Sequence, residues 1–450
     1  MKTVDVGPVL DEGRWTGYQK LLIAGTALTI ILDGMDNQLL PNAVPAMMKE
    51  WSLPRAAFAN ALASGPFGMM VGGVLGGVLG DRIGRRTSLL LSAVAFGIIT
   101  LFITFVHDPG SLTLLRFLAG VGLGGAMPNA AALASEYVPR KERPFAVTLT
   151  IVCIPLGGTI AGFIAGQLLP NWRMLFTVGG IIPLVLAALL FKLLPESPRF
   201  LAVHQERWPE LRRILRRIGH DVPDDTIFVD AAMSTGGGRA STAELFRPML
   251  RWSTIGLFGA FFFCLMANYI GFLVIPTMLT GNGWAQSNAA YANSLFNFGG
   301  VAGAIIGALV IQRLGSRVTM LGMSALAVVA AAVMMRMSLA PAAIAFALVM
   351  FTIEGALLNA VQTTMYALAA HVYPVEIRGR GVGTAVAVGR IGNALASYVG
   401  IYALNNGGAP GYFSTWAITM TLTLISLAIV GRHIPKVMTR TVDAYAPVRH

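Results

Sequence analysis

"GVLGDRIGRR", Gly77–Arg86, joins two apolar runs and its reading decides the fold. The runs, Ala56–Gly80 and Thr87–Val106, are each long enough to cross a bilayer as a helix. Gly84 permits a sharp turn between them. Asp81 is placed to accept hydrogen bonds at a helix N-terminus, and Arg82, Arg85 and Arg86 to reach carboxylates on the other half of the molecule. The pattern returns: "LGDRIGRR" (Leu79–Arg86) is followed 231 residues on by "VIQRLGSR" (Val310–Arg317), which keeps its Arg, Gly and final Arg. "NQLLPNAVP" (Asn37–Pro45) returns as "NYIGFLVIP" (Asn268–Pro276) at the same spacing, and "YVPRKER" (Tyr137–Arg143) as "VYPVEIR" (Val372–Arg378) at 235. Two parallel halves of this kind form a transporter architecture with its site at their interface, near the bilayer midplane. The recurring loop is expected to be a latch that breaks during transport. Gln312 replaces its acid in the second copy, which should hold more weakly.

Composition agrees with a membrane-embedded chain. Only 12% of the 450 residues are charged, against about a quarter in soluble proteins. Twelve apolar spans are expected: Tyr18–Leu40, Ala56–Gly80, Thr87–Val106, Leu112–Tyr137, Phe145–Leu169, Met174–Leu194, Ser253–Leu279, Gln286–Ile311, Thr319–Met337, Ala342–His371, Gly381–Leu404 and Tyr412–Val430. The expected fold is therefore an all-α polytopic membrane protein of twelve transmembrane helices in two pseudo-symmetric six-helix halves. The first half is residues 1–194, followed by a cytoplasmic linker (195–251), the second half (252–432) and a cytoplasmic tail (433–450). Of the 33 Lys and Arg, 27 fall on the side of the termini and four, Lys49, Arg55, Arg173 and Arg336, on the opposite side. That asymmetry places both termini in the cytoplasm. It also accounts for the net charge of +12 without a nucleic-acid partner. Within the linker, "RWPELRRILRRIGHD" reads as a short helix on the inner membrane surface and "STGGGRAST" (Ser234–Thr242) as a flexible stretch. Cys153 and Cys264 fall inside apolar runs, so neither a disulfide nor a metal site is expected.

Charged residues inside spans carry the chemistry. Asp33 and Asp36 lie three apart, on one face of the first span. Asp33 is some 15 residues in, roughly 22 Å at helical rise. An ionised acid at such depth costs several kcal/mol unless it meets water or a partner, so the pair is either a proton carrier or a structural partner of Arg116 in the fourth span. Arg390 lies about ten residues into the eleventh span, roughly 15 Å deep. Its guanidinium is suited to bind a substrate carboxylate bidentately, unless it pairs permanently with Glu354, which enters the tenth span to a matching depth. Asn268, Tyr269, Asn359 and Gln362, with Asn37, offer neutral hydrogen bonds; Phe296 and Tyr366 offer ring faces. Glu136, beside Arg140 and Arg143, reads as a gating ion pair, and Arg378 as its counterpart in the second half. Gly77 completes the latch with Asp81, Arg82, Gly84, Arg85 and Arg86. The six histidines lie in loops, tails or at a span end, and no nucleophile–base pair or metal cluster is visible, so no enzyme and no cofactor is expected.

These strings resemble the major facilitator superfamily over nearly the whole chain. The Gly77–Arg86 loop is similar to its most specific signature, "RFLAGVGLGG" (Arg116–Gly125) to its fourth-span motif and "PESPRFL" (Pro195–Leu201) to the motif after its sixth span. "LDGMDNQ", "GAMPNAAALASEYVPRKER" and "IRGRGVGTAVAVGRIG" (Ile377–Gly392) further resemble its aromatic acid:proton symporter family. Met35 stands where that family usually has an aromatic residue. "CIPLGGTIAG" departs from the Gly-Pro-x-x-Gly-Gly of proton-driven exporters. The resemblance implies a monomeric importer of the bacterial inner membrane. Its partners would be protons, the lipid bilayer and a small aromatic carboxylate such as a hydroxybenzoate. Another organic anion, or export, is the alternative.

Overall fold

The computed structural model describes residues 3–12, 15–139, 142–220, 222–223, 226–230, 242–374 and 377–435. Its long helices are Gly17–Trp51, Ala59–Ile83, Arg85–Phe102, Pro109–Tyr137, Arg143–Leu168 and Trp172–Leu193, then Arg251–Gly281, Gln286–Leu314, Ser316–Met334, Ile344–Val372 and Arg378–Ile429. The last is two spans. They part at Gly408, whose φ of 58° and ψ of −153° no helix accommodates. The chain thus crosses the bundle twelve times, in two halves. Among the described residues, nine helices meet the length and apolarity of a membrane span outright. The first span is diluted by its polar stretch Asp33–Gln38, and the fifth is apolar over its described part, Val152–Leu168.

The first span opens on a capping box in which Thr16 and Gln19 satisfy each other's backbone. It then runs past its expected end at Leu40, through Pro41 and Pro45, to Trp51. Proline is tolerated in membrane helices where packing and side chains compensate for the lost amide. In the same stretch Asn37 and Asn42 turn their side-chain amides back onto the carbonyls of Asp33 (2.9 Å) and Gln38 (2.8 Å), bonds separate from those the prolines remove.

The internal repeat is visible in the backbone. Gly84 and Gly315, 231 residues apart, both adopt positive φ (99° and 77°) between consecutive spans. Each of these loops is held by the segment that follows the last span of its half. Glu196 Oε1 accepts from the Arg86 amide (2.9 Å). Ile434 accepts from the Ser316 amide (2.9 Å) and donates to Ser316 Oγ (2.8 Å).

The region between the halves differs from expectation. Trp208–Arg217 is helical, but its apolar residues Leu211, Ile214 and Leu215 do not face lipid. They are buried in a core with Val6, Leu10, Leu201 and Phe228. The chain start joins this core as a strand, Thr3–Asp5, paired in parallel with Ile227–Val229. An amphipathic helix buries its apolar face against whatever apolar surface is nearest, and here the N-terminal segment supplies it. Most of the expected flexible stretch, residues 231–241, lies outside the described residues.

At the interface the first span meets the seventh, the second the eleventh and the fifth the eighth. The bonds between halves concentrate toward the end opposite the termini. Arg55 donates to the Thr277 carbonyl (3.1 Å) and Asn405 (3.3 Å), Tyr398 to Asn60 (2.9 Å), and Gln167 to Tyr291 (2.6 Å). The halves are therefore clasped at that end.

Candidate functional site

Two buried features sit at this interface. One is an ion pair within the first half: Arg116 Nη1 lies 2.5 Å from Asp36 Oδ1, and both residues are buried. Gly65 of the second span makes room, since a Cβ there would come within 3.3 Å of the guanidinium. The other is Asp33, one turn earlier on the same helix, 5% exposed, whose Oδ1 has no hydrogen-bond partner. Two carboxyls three residues apart thus occupy different environments. Asp36 is neutralised by an arginine on its own half. Asp33 instead lies in the field of Arg390 from the other half.

Arg390 is half-buried and points one terminal nitrogen at Met127 Sδ, 3.5 Å away. A thioether is a weak acceptor, and among the described residues no carboxylate lies within ion-pair distance of Arg390. Its guanidinium retains its capacity for an anion. Tyr269 and Tyr366 share this neighbourhood with Asp33 and Arg390.

Immediately beyond lies a cavity of about 40 Å³ lined by Gly34, Asn37, Gln38, Ile154, Pro155, Asn268, Tyr269, Phe272, Asn297, Asn359 and Gln362. That volume holds a few waters but no aromatic ring, so the helices must part to admit one. Its polar wall is a chain of amides. Asn359 donates to Asn268 (3.1 Å), Asn268 to Gln362 (2.6 Å), and Tyr269 Oη to Asn37 across the halves (3.4 Å). Tyr269 and Phe272 supply ring faces 4.6 Å apart.

A family model described as the Major Facilitator Superfamily matches residues 26–352 and 256–444. The chain belongs to the Major Facilitator Superfamily. Within it, this facilitator groups with transporters of aromatic acids. It is 31% identical over 418 residues to the gallate transporter of Pseudomonas putida, covering 91% of each chain. It is 30% identical over 428 residues to the 4-hydroxybenzoate transporter PcaK of Acinetobacter baylyi, covering 94% of this chain and 91% of that one. Among solved structures it resembles the D-xylose-proton symporter, with TM-score 0.68 at 18% identity over 93% of this chain and 99% of that one. It also resembles a partially occluded, inward-open form of the xylose transporter XylE from E. coli, with TM-score 0.71 at 17% identity and the same coverage. At those identities the structural likeness speaks for the fold.

Several expected groupings are corrected by the facilitator's geometry. Glu354 does not meet Arg390. It is fully buried with both carboxylate oxygens unbonded, close enough to Tyr412 for its charge to act on the phenol. Arg390 instead lies near Tyr366, twelve residues further along the tenth span, about 18 Å of helical rise; Asn359 and Gln362 face the cavity while Glu354 turns toward the twelfth span. Arg116 does not line the cavity; it is occupied by Asp36. Phe296 is withdrawn into a stack with Trp416 (5.8 Å between centroids).

The latch residues also find partners nearer than expected. Arg85 bonds Asp81 (2.8 Å) and lies 3.9 Å from Glu136; Arg86 bonds the Phe191 carbonyl; Glu136 accepts from Ser197. All of these lie on the first half or at the start of the linker, so among the described residues the loop is not bound to the second half. Arg378 donates to the Tyr373 carbonyl (3.5 Å), and among the described residues no acid lies within ion-pair distance of it. Arg82 and Gly77 are exposed or half-exposed, and a Cβ at Gly77 would meet nothing within 4 Å. The close approaches belong to its neighbours: Gly76 against the Gly125 backbone and Gly80 against Asn129. Arg140 lies outside the described residues. Gln38, Asn297 and Phe272 line the site without having been singled out in the sequence. The polar repeat of Gln and Asn inside apolar spans was the available signal.

Proposed function

We propose that this facilitator imports a small aromatic carboxylate, hydroxybenzoate-like, together with protons across the bacterial inner membrane, with both termini in the cytoplasm. The observation that carries this is the juxtaposition across the interface of Asp33, a buried carboxyl with an unpartnered oxygen, and Arg390, a guanidinium with no carboxylate in ion-pair distance among the described residues. A substrate carboxylate would dock bidentately on Arg390. That removes the positive field Asp33 relies on when ionised, and so favours the proton on Asp33. Proton and anion are thereby bound together rather than independently. The relatives carry aromatic acids under their own names, and Tyr269, Phe272 and Tyr366 provide surfaces for a ring.

With the clasp opposite the termini closed, the present state faces the cytoplasm. Release there would be followed by return to the outward state, in which Arg85, Arg86 and Arg378 engage the other half while the Arg55 and Tyr398 bonds open. Alternating access then rests on residues 1–194 and 252–432 rocking about the site, with 195–251 as cytoplasmic linker and 433–450 as tail.

The test is uptake of labelled 4-hydroxybenzoate into cells expressing the protein, with and without a proton uncoupler. The expected result is concentrative uptake that the uncoupler abolishes. Accumulation insensitive to it, or outward flux of the acid against its gradient, would contradict symport.

A further inference from the structure

The cavity lining contains six carboxamides, Asn37, Gln38, Asn268, Asn297, Asn359 and Gln362. A site for an unsubstituted ring needs no such wall, because a benzene ring presents nothing to hydrogen-bond at its edge. Two of the six, Gln38 and Asn297, face each other across the interface between the first and eighth spans. Gln38 Nε2 reaches Asn297 Oδ1 at 3.3 Å, well beyond the usual amide–carbonyl distance of about 2.9–3.0 Å. Behind them Asn293, fully buried, donates to Gln38 Oε1 (2.8 Å) and Asn42 Oδ1 (3.3 Å), while its own Oδ1 has no partner. The long contact between Gln38 and Asn297, both of which line the cavity, leaves the pair open to a better-placed partner.

Resting on the transport reading above, we infer that Gln38 and Asn297 select for hydroxyl groups on the ring, so that the protein takes phenolic carboxylates in preference to benzoate. A hydroxyl inserted between them accepts from Gln38 Nε2 and donates to Asn297 Oδ1, replacing one poor bond with two good ones. An unsubstituted ring separates the same two groups and leaves both unpaired in a buried place. The distances fit. Gln38 is five residues beyond Asp33 on the first span, about 7.5 Å of helical rise. That is the scale of one benzene ring whose carboxylate lies at Arg390 near Asp33 and whose para hydroxyl lies at Gln38. Because Gln38 and Asn297 belong to opposite halves, the bridging hydroxyl also ties the halves together across the cavity.

The test compares initial uptake (kcat/KM) of benzoate, 4-hydroxybenzoate and 3,4,5-trihydroxybenzoate by membranes containing the full-length wild type, Asn297→Leu and Asn297→Gln. The wild type is expected to prefer the hydroxylated acids at least tenfold. Asn297→Leu should lower that preference below threefold, mainly through loss on the hydroxylated acids. Asn297→Gln, which keeps the amide, should hold most of it. If Asn297→Leu does not reach the membrane, Gln38→Met reads the same ratio. A wild type indifferent to ring hydroxyls, or an Asn297→Leu protein with the preference intact, would overturn the assignment alone. Absence of uptake for every aromatic acid would instead overturn the transport reading and this inference with it.

Discussion

Asp33→Asn is expected to lower proton-driven uptake of 4-hydroxybenzoate at least a hundredfold while sparing exchange of labelled for unlabelled acid across the membrane. Asparagine fills the same space and stands in for the protonated carboxyl, so the binding-competent state is available at all times. The variant can load substrate and rock between its two faces when loaded. It cannot release a proton, and so it cannot return empty with the charge change that drives accumulation. The distinction matters because a merely structural Asp33 would lose exchange and net uptake together. Asp33 suits the role through its surroundings: an unpartnered buried oxygen and a cation contributed by the opposite half. Parallel measurement of net uptake and exchange checks it. Loss of both, with normal abundance in the membrane, would assign Asp33 to the scaffold.

The second large effect concerns its neighbour. Asp36→Ala should destabilise the protein by about 3–5 kcal/mol, because Arg116 would be left as an uncompensated buried charge. The double variant Asp36→Leu/Arg116→Met should recover more than half of the loss, since removing both charges also removes their desolvation cost. Thermal unfolding of the three proteins in detergent provides the comparison. A double variant no better than Asp36→Ala would mean that the pair does more than neutralise itself, and would move Asp36 toward the proton pathway.

The sequence alone separates these two acids poorly. Their spacing places them on one helical face, and both lie at a depth where charge is expensive. Which one Arg116 takes depends on packing between the first, second and fourth spans, where Gly65 clears the space. The bundle itself was far more legible. The 231-residue repeat, the apolar lengths and the lysine–arginine asymmetry are each set by one-dimensional rules, and Gly84 and Gly315 share positive φ at the repeat spacing. Errors arose where a third dimension decides. Pro41 reads as a helix end, yet the helix continues because it is supported from its sides. Glu354 matches Arg390 only when depth is counted along the chain; in the folded bundle Arg390 lies near Tyr366, twelve residues further along the tenth span, while Glu354 lies near Tyr412. The apolar face of Trp208–Arg217 reads as lipid-facing until the distant N-terminal strand and helix are brought onto it. Gln38 and Asn297 are unremarkable singly and acquire meaning only as partners across the interface.

The most direct test of the central claim is proton movement itself. Purified protein in liposomes containing a pH-sensitive dye, given 4-hydroxybenzoate on the outside with no imposed gradient, should acidify the lumen as the acid enters, and the Asp33→Asn protein should not. Entry of the labelled acid through the wild type without acidification beyond that of protein-free liposomes would contradict proton coupling, whatever the substrate proves to be.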